Sequence, residues 1–130
     1  MPQACRIVLP IPPSANKATR NLSDKEKLRL RSLGKGVPPR VATKEMRQWR
    51  EQAGWILQTQ KRQQFAGPFR VRILMSEDER MDVDNVQKQT VDLLVKHRIT
   101  PDDRFAKAIG SERDPDVKRG EIVVIVESAK

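Results

Sequence analysis

The amino-acid sequence predicts an α/β (α+β) fold: a small mixed four-stranded sheet with two main helices packed on it, in the order β-α-β-α-β-β. Three patterns carry this expectation. Apolar residues recur at every second position over residues 5–9 and 69–75, the period of a half-buried strand. They recur at helical spacing over 43–60 and 85–97. Residues 122–126 are apolar on both sides, as in a central strand.

Each element follows in turn. Cys5, Ile7 and Leu9 alternate with Arg6 and Val8, and Pro10, Pro12 and Pro13 are expected to end that strand, because proline cannot donate to a ladder. Residues 14–42 are rich in Lys and Arg, lack hydrophobic periodicity and contain Gly34, Gly36, Pro38 and Pro39. They read as a basic, flexible loop that suits a DNA-contacting arm. A short helix within 23–33, with Ser23 as its cap, is compatible with it. In the first main helix Met46, Trp49, Ala53, Ile56 and Leu57 form one stripe and Thr43 is the N-cap. Trp49 belongs to the core stripe; Trp55 lies off it. After the Gly67-Pro68 turn, Phe69, Val71, Ile73 and Met75 alternate with Arg70 and Arg72. In the second helix Val86, Thr90, Leu93, Leu94 and His97 share a face, so His97 reads as structural. Residues 105–113 and 121–127 are expected to close the fold as a hairpin across the polar turn 114–120.

The chain of 130 residues suffices for one domain, 1–130, and its composition narrows the function classes. Twenty-six Lys and Arg against 17 Asp and Glu give a formal net charge of +9. Such a surface is drawn to polyanions, and nucleic acid is the first candidate. One Cys and one His exclude a zinc finger or a zinc deaminase centre. A lone Cys5 and the lack of a signal sequence point to the cytoplasm. The longest apolar runs fall far short of the roughly 20 residues of a membrane span, so no membrane partner is expected.

Against this basic background stands Met81-Asp82-Val83-Asp84-Asn85-Val86-Gln87-Lys88. If the segment is extended, Asp82 and Asp84 point to the same side. Their mutual repulsion invites a divalent cation, and hard carboxylate oxygens favour Mg²⁺. Lys88, four residues after Asp84, can share a helix face with it and place positive charge where a phosphate would react. Asp84 as an N-cap, Asp82 as a solvated loop residue and Lys88 as a surface lysine are the plain alternatives. Asp102 and Asp103 follow Pro101. A strand starting near Arg104 beside the one that leads into Asp82 would bring Asp103 toward the pair; a simple Pro-Asp-Asp turn is the alternative.

These motifs, in this order, resemble the RusA family of Holliday junction resolvases. Leu9-Pro10-Ile11-Pro12-Pro13-Ser14-Ala15-Asn16 is similar to the family's opening signature, and Asp82-Val83-Asp84-Asn85-Val86-Gln87-Lys88 to its central Asp-x-Asp-Asn-hydrophobic-x-Lys motif. Asp92-Leu93-Leu94 and Asp102-Asp103 fall at its later sites. The resemblance implies a homodimeric endonuclease that resolves four-way DNA junctions in recombination and repair, using Mg²⁺ or Mn²⁺. It implies Asp82, Asp84 and Asp103 as metal ligands, Lys88 as the catalytic lysine, and Asn85 and Asp102 as supporting residues. Asn16, Lys17, Arg20 and Arg80 are the expected DNA contacts. Met81 separates Arg80 from Asp82, where some members run basic residues directly into the first Asp. The alternative function is a non-catalytic, basic nucleic-acid-binding module whose aspartates only cap and turn.

Overall fold

The computed structural model describes residues 4–60 and 64–129, leaving aside the side chains of residues 15 and 16. Along the chain lie β1 (Ala4–Pro10), α1 (Ala15–Ala18), β2 (Thr19–Arg20), α2 (Asp24–Ser32), β3 (Val41–Ala42) and α3 (Lys44–Thr59). They are followed by β4 (Phe69–Ser76), α4 (Gln87–Lys96), β5 (Ala106–Asp114) and β6 (Glu121–Ser128). The main sheet is mixed and four-stranded, ordered β1-β6-β4-β5. β6 runs antiparallel to both neighbours, and β5 runs parallel to β4.

This order corrects the expected closing hairpin. β5 and β6 are consecutive in sequence but lie on opposite sides of β4. Burial explains why. β6 hides Ile122, Val123, Val124 and Val126, so both its faces need cover and it takes a central place. β5 keeps Lys107, Ala108, Glu112 and Arg113 exposed, and a charged, half-wet strand belongs at an edge. Parallel pairing of β4 with β5 needs a crossover, which α4 supplies. β1 also extends one residue further than expected. Pro10 stays in register with Glu121, which an edge strand permits.

One face of the sheet carries the main core. Ile7, Leu9, Val71, Ile73, Met75, Ile122, Val124 and Val126 meet Met46, Trp49, Ala53 and Leu57 of α3 and Leu93 and Leu94 of α4. Trp49 is buried, as expected, and its indole N–H donates to the Pro10 carbonyl at 2.8 Å. The opposite face buries a smaller group, Leu74, Val117 and Val123.

The basic stretch 14–42 holds local structure where the sequence suggested mainly loop. α2 begins at Ser23 with a full capping box: Ser23 Oγ accepts from Glu26 N at 3.2 Å, and Glu26 Oε1 accepts from Ser23 N at 3.0 Å. It ends at Gly34, whose positive φ of 71° lets Lys35 N donate to the Leu30 carbonyl at 2.9 Å. α2 buries none of its residues, so the hydrophobic period had nothing to report. β2 and β3 pair antiparallel, and Arg40 bridges them by donating to Thr19 Oγ1, the Thr19 carbonyl and Asn21 Oδ1. Among the described residues no helix is long and apolar enough to cross a membrane.

Candidate active site

The acidic segment sits at the start of the β4–α4–β5 crossover. A 3-10 turn, Val83–Val86, precedes α4, so the extended premise for Asp82 and Asp84 fails after Asp82. Asp82 keeps extended backbone angles at the N-cap position, while Asp84 is already helical. Neither aspartate caps α4, whose N-cap position is Val86. Asn85 N donates to the Asp82 carbonyl at 3.0 Å, which closes the turn.

Two β5 residues hold this turn and its approach. Ser111 Oγ donates to the Val83 carbonyl at 2.5 Å and accepts from Gln87 Nε2 at 2.8 Å. Arg113 donates to the carbonyls of Ser76, Glu79 and Met81 at 3.2, 2.7 and 2.9 Å, pinning the loop that enters Asp82. Sequence reasoning missed both. Only the parallel register, which sets Ser111 opposite Ile73 and Arg113 opposite Met75, brings them under the acidic turn.

A cavity of about 430 Å³ opens beside α4, lined by Asp84, Gln87, Lys88, Val91, Asp92, Asp103 and Ile109. It gathers Asp84, Lys88 and Asp103, as the sequence argument anticipated. It adds Asp92, one helical turn beyond Lys88. Asp82 is exposed and is not part of the lining. His97 is likewise absent from it; its ring packs close to Gly54 of α3, where an added Cβ would lie 2.6 Å from Nε2. A strand does begin next to β4 after Asp103, as expected, and this returns Asp103 to the site.

Asp102 and Asp103 divide their electrostatics. Asp102 caps the short 3-10 turn Asp103–Phe105 by accepting from Arg104 N at 3.1 Å, and that bond, with one shared with Asp103, holds its carboxyl below the usual range. Asp103 is pushed up, first by the hydrogen bond shared with Asp102, then by partial desolvation and by the charges of Asp102 and Asp92. Negative charge is therefore crowded at this side of the cavity, with Arg104 offsetting part of it at Asp102. Hard carboxylate oxygens from two residues match a Mg²⁺ site, which ordinarily adds water and substrate phosphate to one or two carboxylates. Among the described residues, no three Asp, Glu, His or Cys side chains stand close enough to enclose a metal ion by themselves.

Of the expected DNA contacts, Lys17, Arg20 and Arg80 are not part of the cavity lining. Lys17 is exposed on α1 and Arg80 is exposed before Met81, while Asn16's side chain lies outside the described residues. Arg20 is engaged within the arm, paired with both carboxylate oxygens of Glu26 at 2.8 and 2.9 Å.

Carboxylates and a lysine around one cavity, in a chain of this charge, are the groups that phosphodiester chemistry uses. The family model described as Endodeoxyribonuclease RusA matches residues 10–127, and the chain belongs to that family. Membership implies the nuclease activity of a Holliday junction resolvase. No curated protein is significantly similar to the chain.

Proposed function

We propose that the protein resolves four-way DNA junctions by Mg²⁺-dependent phosphodiester hydrolysis, in recombination and repair, with Mn²⁺ able to substitute. The observation that carries this reading is the shared cavity of Asp84, Lys88 and Asp103. Asp84 and Asp103 would hold the cation from opposite ends of the crossover. Asp82, whose side chain makes no capping hydrogen bond, would join them as the third ligand. When bound, Mg²⁺ supplies activation of a water nucleophile and stabilisation of phosphate charge. Lys88 places its ammonium against the phosphate, Asn85 keeps the turn closed, and Asp102 fixes the position of Asp103. A C₂ homodimer suits the substrate, since two identical sites meet two symmetry-related strands.

The test is Asp84→Asn on a synthetic four-way junction with Mg²⁺. Binding is retained and cleavage falls by about 10² or more, the scale of losing a key electrostatic group. Undiminished cleavage rejects the role. The open arrangement of the acids favours one competing reading, a non-catalytic DNA-binding module. That reading requires wild-type protein to bind junctions and leave them uncut at any divalent concentration.

A further inference from the structure

Trp55 is 66% exposed, on the side of α3 away from its core stripe. It stands in a cavity of about 1020 Å³ between α3 and the end of α4. The rim is cationic, with Arg47, Arg50 and Lys96 against Glu51, and three glutamines supply amide donors and acceptors. Shared lining residues link the cavity to the candidate active site. Arg50 and Lys96 also line a smaller cleft of about 200 Å³, and that cleft shares Asp92 with the cavity of Asp84, Lys88 and Asp103. Lys88, Asp92 and Lys96 are spaced four residues apart, so they line one face of α4. Lys88 and Lys96 are separated by about 12 Å along the helix axis.

We propose that the Trp55 cavity is a stacking subsite for an unpaired nucleobase of the bound DNA, a few nucleotides along the strand from the cut. An indole face accepts any base, while the guanidinium and ammonium groups track the backbone phosphates. The distance suits the assignment: about 12 Å is three to four base steps by the roughly 3.4 Å axial rise of B-DNA, and fewer along an extended strand. At a branch point the continuous base stack of a duplex is interrupted, and extrusion of a base there costs less than inside an intact helix. This inference rests on the proposed nuclease reading for its DNA, but not on cleavage.

The experiment is a titration of dye-labelled oligothymidylate in a metal chelator, read by the anisotropy of the dye with intrinsic tryptophan emission recorded in parallel, on wild type, Trp55→Ala and Trp55→Phe, with thermal unfolding of each variant as the check on folding. Wild-type emission is quenched on binding, with the buried Trp49 as a constant background. Trp55→Ala loses about tenfold in affinity at fixed salt, within the range for removing one stacked base. Trp55→Phe keeps most of the affinity, because a phenyl face still stacks on a base. Equal affinity of Trp55→Ala and wild type overturns the subsite, as does a wild type that does not bind the oligomer. Failure of wild type to cut junctions, with Trp55-dependent binding intact, overturns the nuclease reading alone.

Discussion

Glu26 shows how much one side chain can organise. Its carboxylate receives both guanidinium N–H groups of Arg20 and closes the capping box with Ser23. The hydrogen bond from Arg20, then those from Ser23, lower its pKa to about 2. A lowered carboxyl stabilises the folded form above the ordinary carboxylate range, and the contribution is lost as pH falls through about 2. NMR titration should therefore place the Glu26 midpoint near 2 in wild type and move it up toward the ordinary value of 4.5 in Arg20→Ala. Ser111 is the corresponding case beside the acidic turn. Ser111→Ala removes two hydrogen bonds, costs about 1–2 kcal/mol in a denaturant titration, and slows cleavage about tenfold with junction affinity unchanged, while Ser111→Thr restores the rate. Asp84 and Lys88 were legible because chemistry and spacing coincide in eight consecutive residues. Ser111 and Arg113 were not, because they act through carbonyls 28 to 37 residues away in sequence, and no local pattern records that.

The elements whose hydrophobic period was strong came out where expected. α3 starts at its Thr43 cap, with Thr43 Oγ1 accepting from Met46 N, and buries Met46, Trp49, Ala53 and Leu57. The strand ending at Ser76 also matched. The pairing of strands was less legible. Sequence adjacency favoured a β5–β6 hairpin, but two-sided burial of β6 and the α4 crossover decided the order. The end of α4 carries its own signature. His97 is the cap, Arg98 has φ 59°, and Ile99 N donates to the Leu94 carbonyl at 3.0 Å while Ile99 itself is buried. A left-handed conformation costs a non-glycine residue about 1–2 kcal/mol. Arg98→Gly should accordingly raise stability by about 1 kcal/mol, read as a higher denaturation midpoint with an unchanged slope.

For the molecule as a whole, a net charge of +9 and an acidic cavity describe two tasks with opposite signs. Affinity for DNA should fall steeply with salt, by about 10³ between 50 and 200 mM if some six phosphates are contacted. A nearly flat salt response in an equilibrium binding assay rejects phosphate-driven recognition. The sheet order has a further consequence, in the timing of synthesis. β1 and β4 share no ladder of their own, and each pairs with β6, which is made after both. The first strand therefore waits through more than a hundred residues of translation for its partner. Contacts of such long separation slow folding, since loop closure precedes the gain. Until β6 inserts, β4 lacks its antiparallel neighbour and the crossover that carries Asp84 and Asp103 has only half a floor. A nascent chain is thus basic and sticky to DNA well before it is able to cut, and the blade is assembled last.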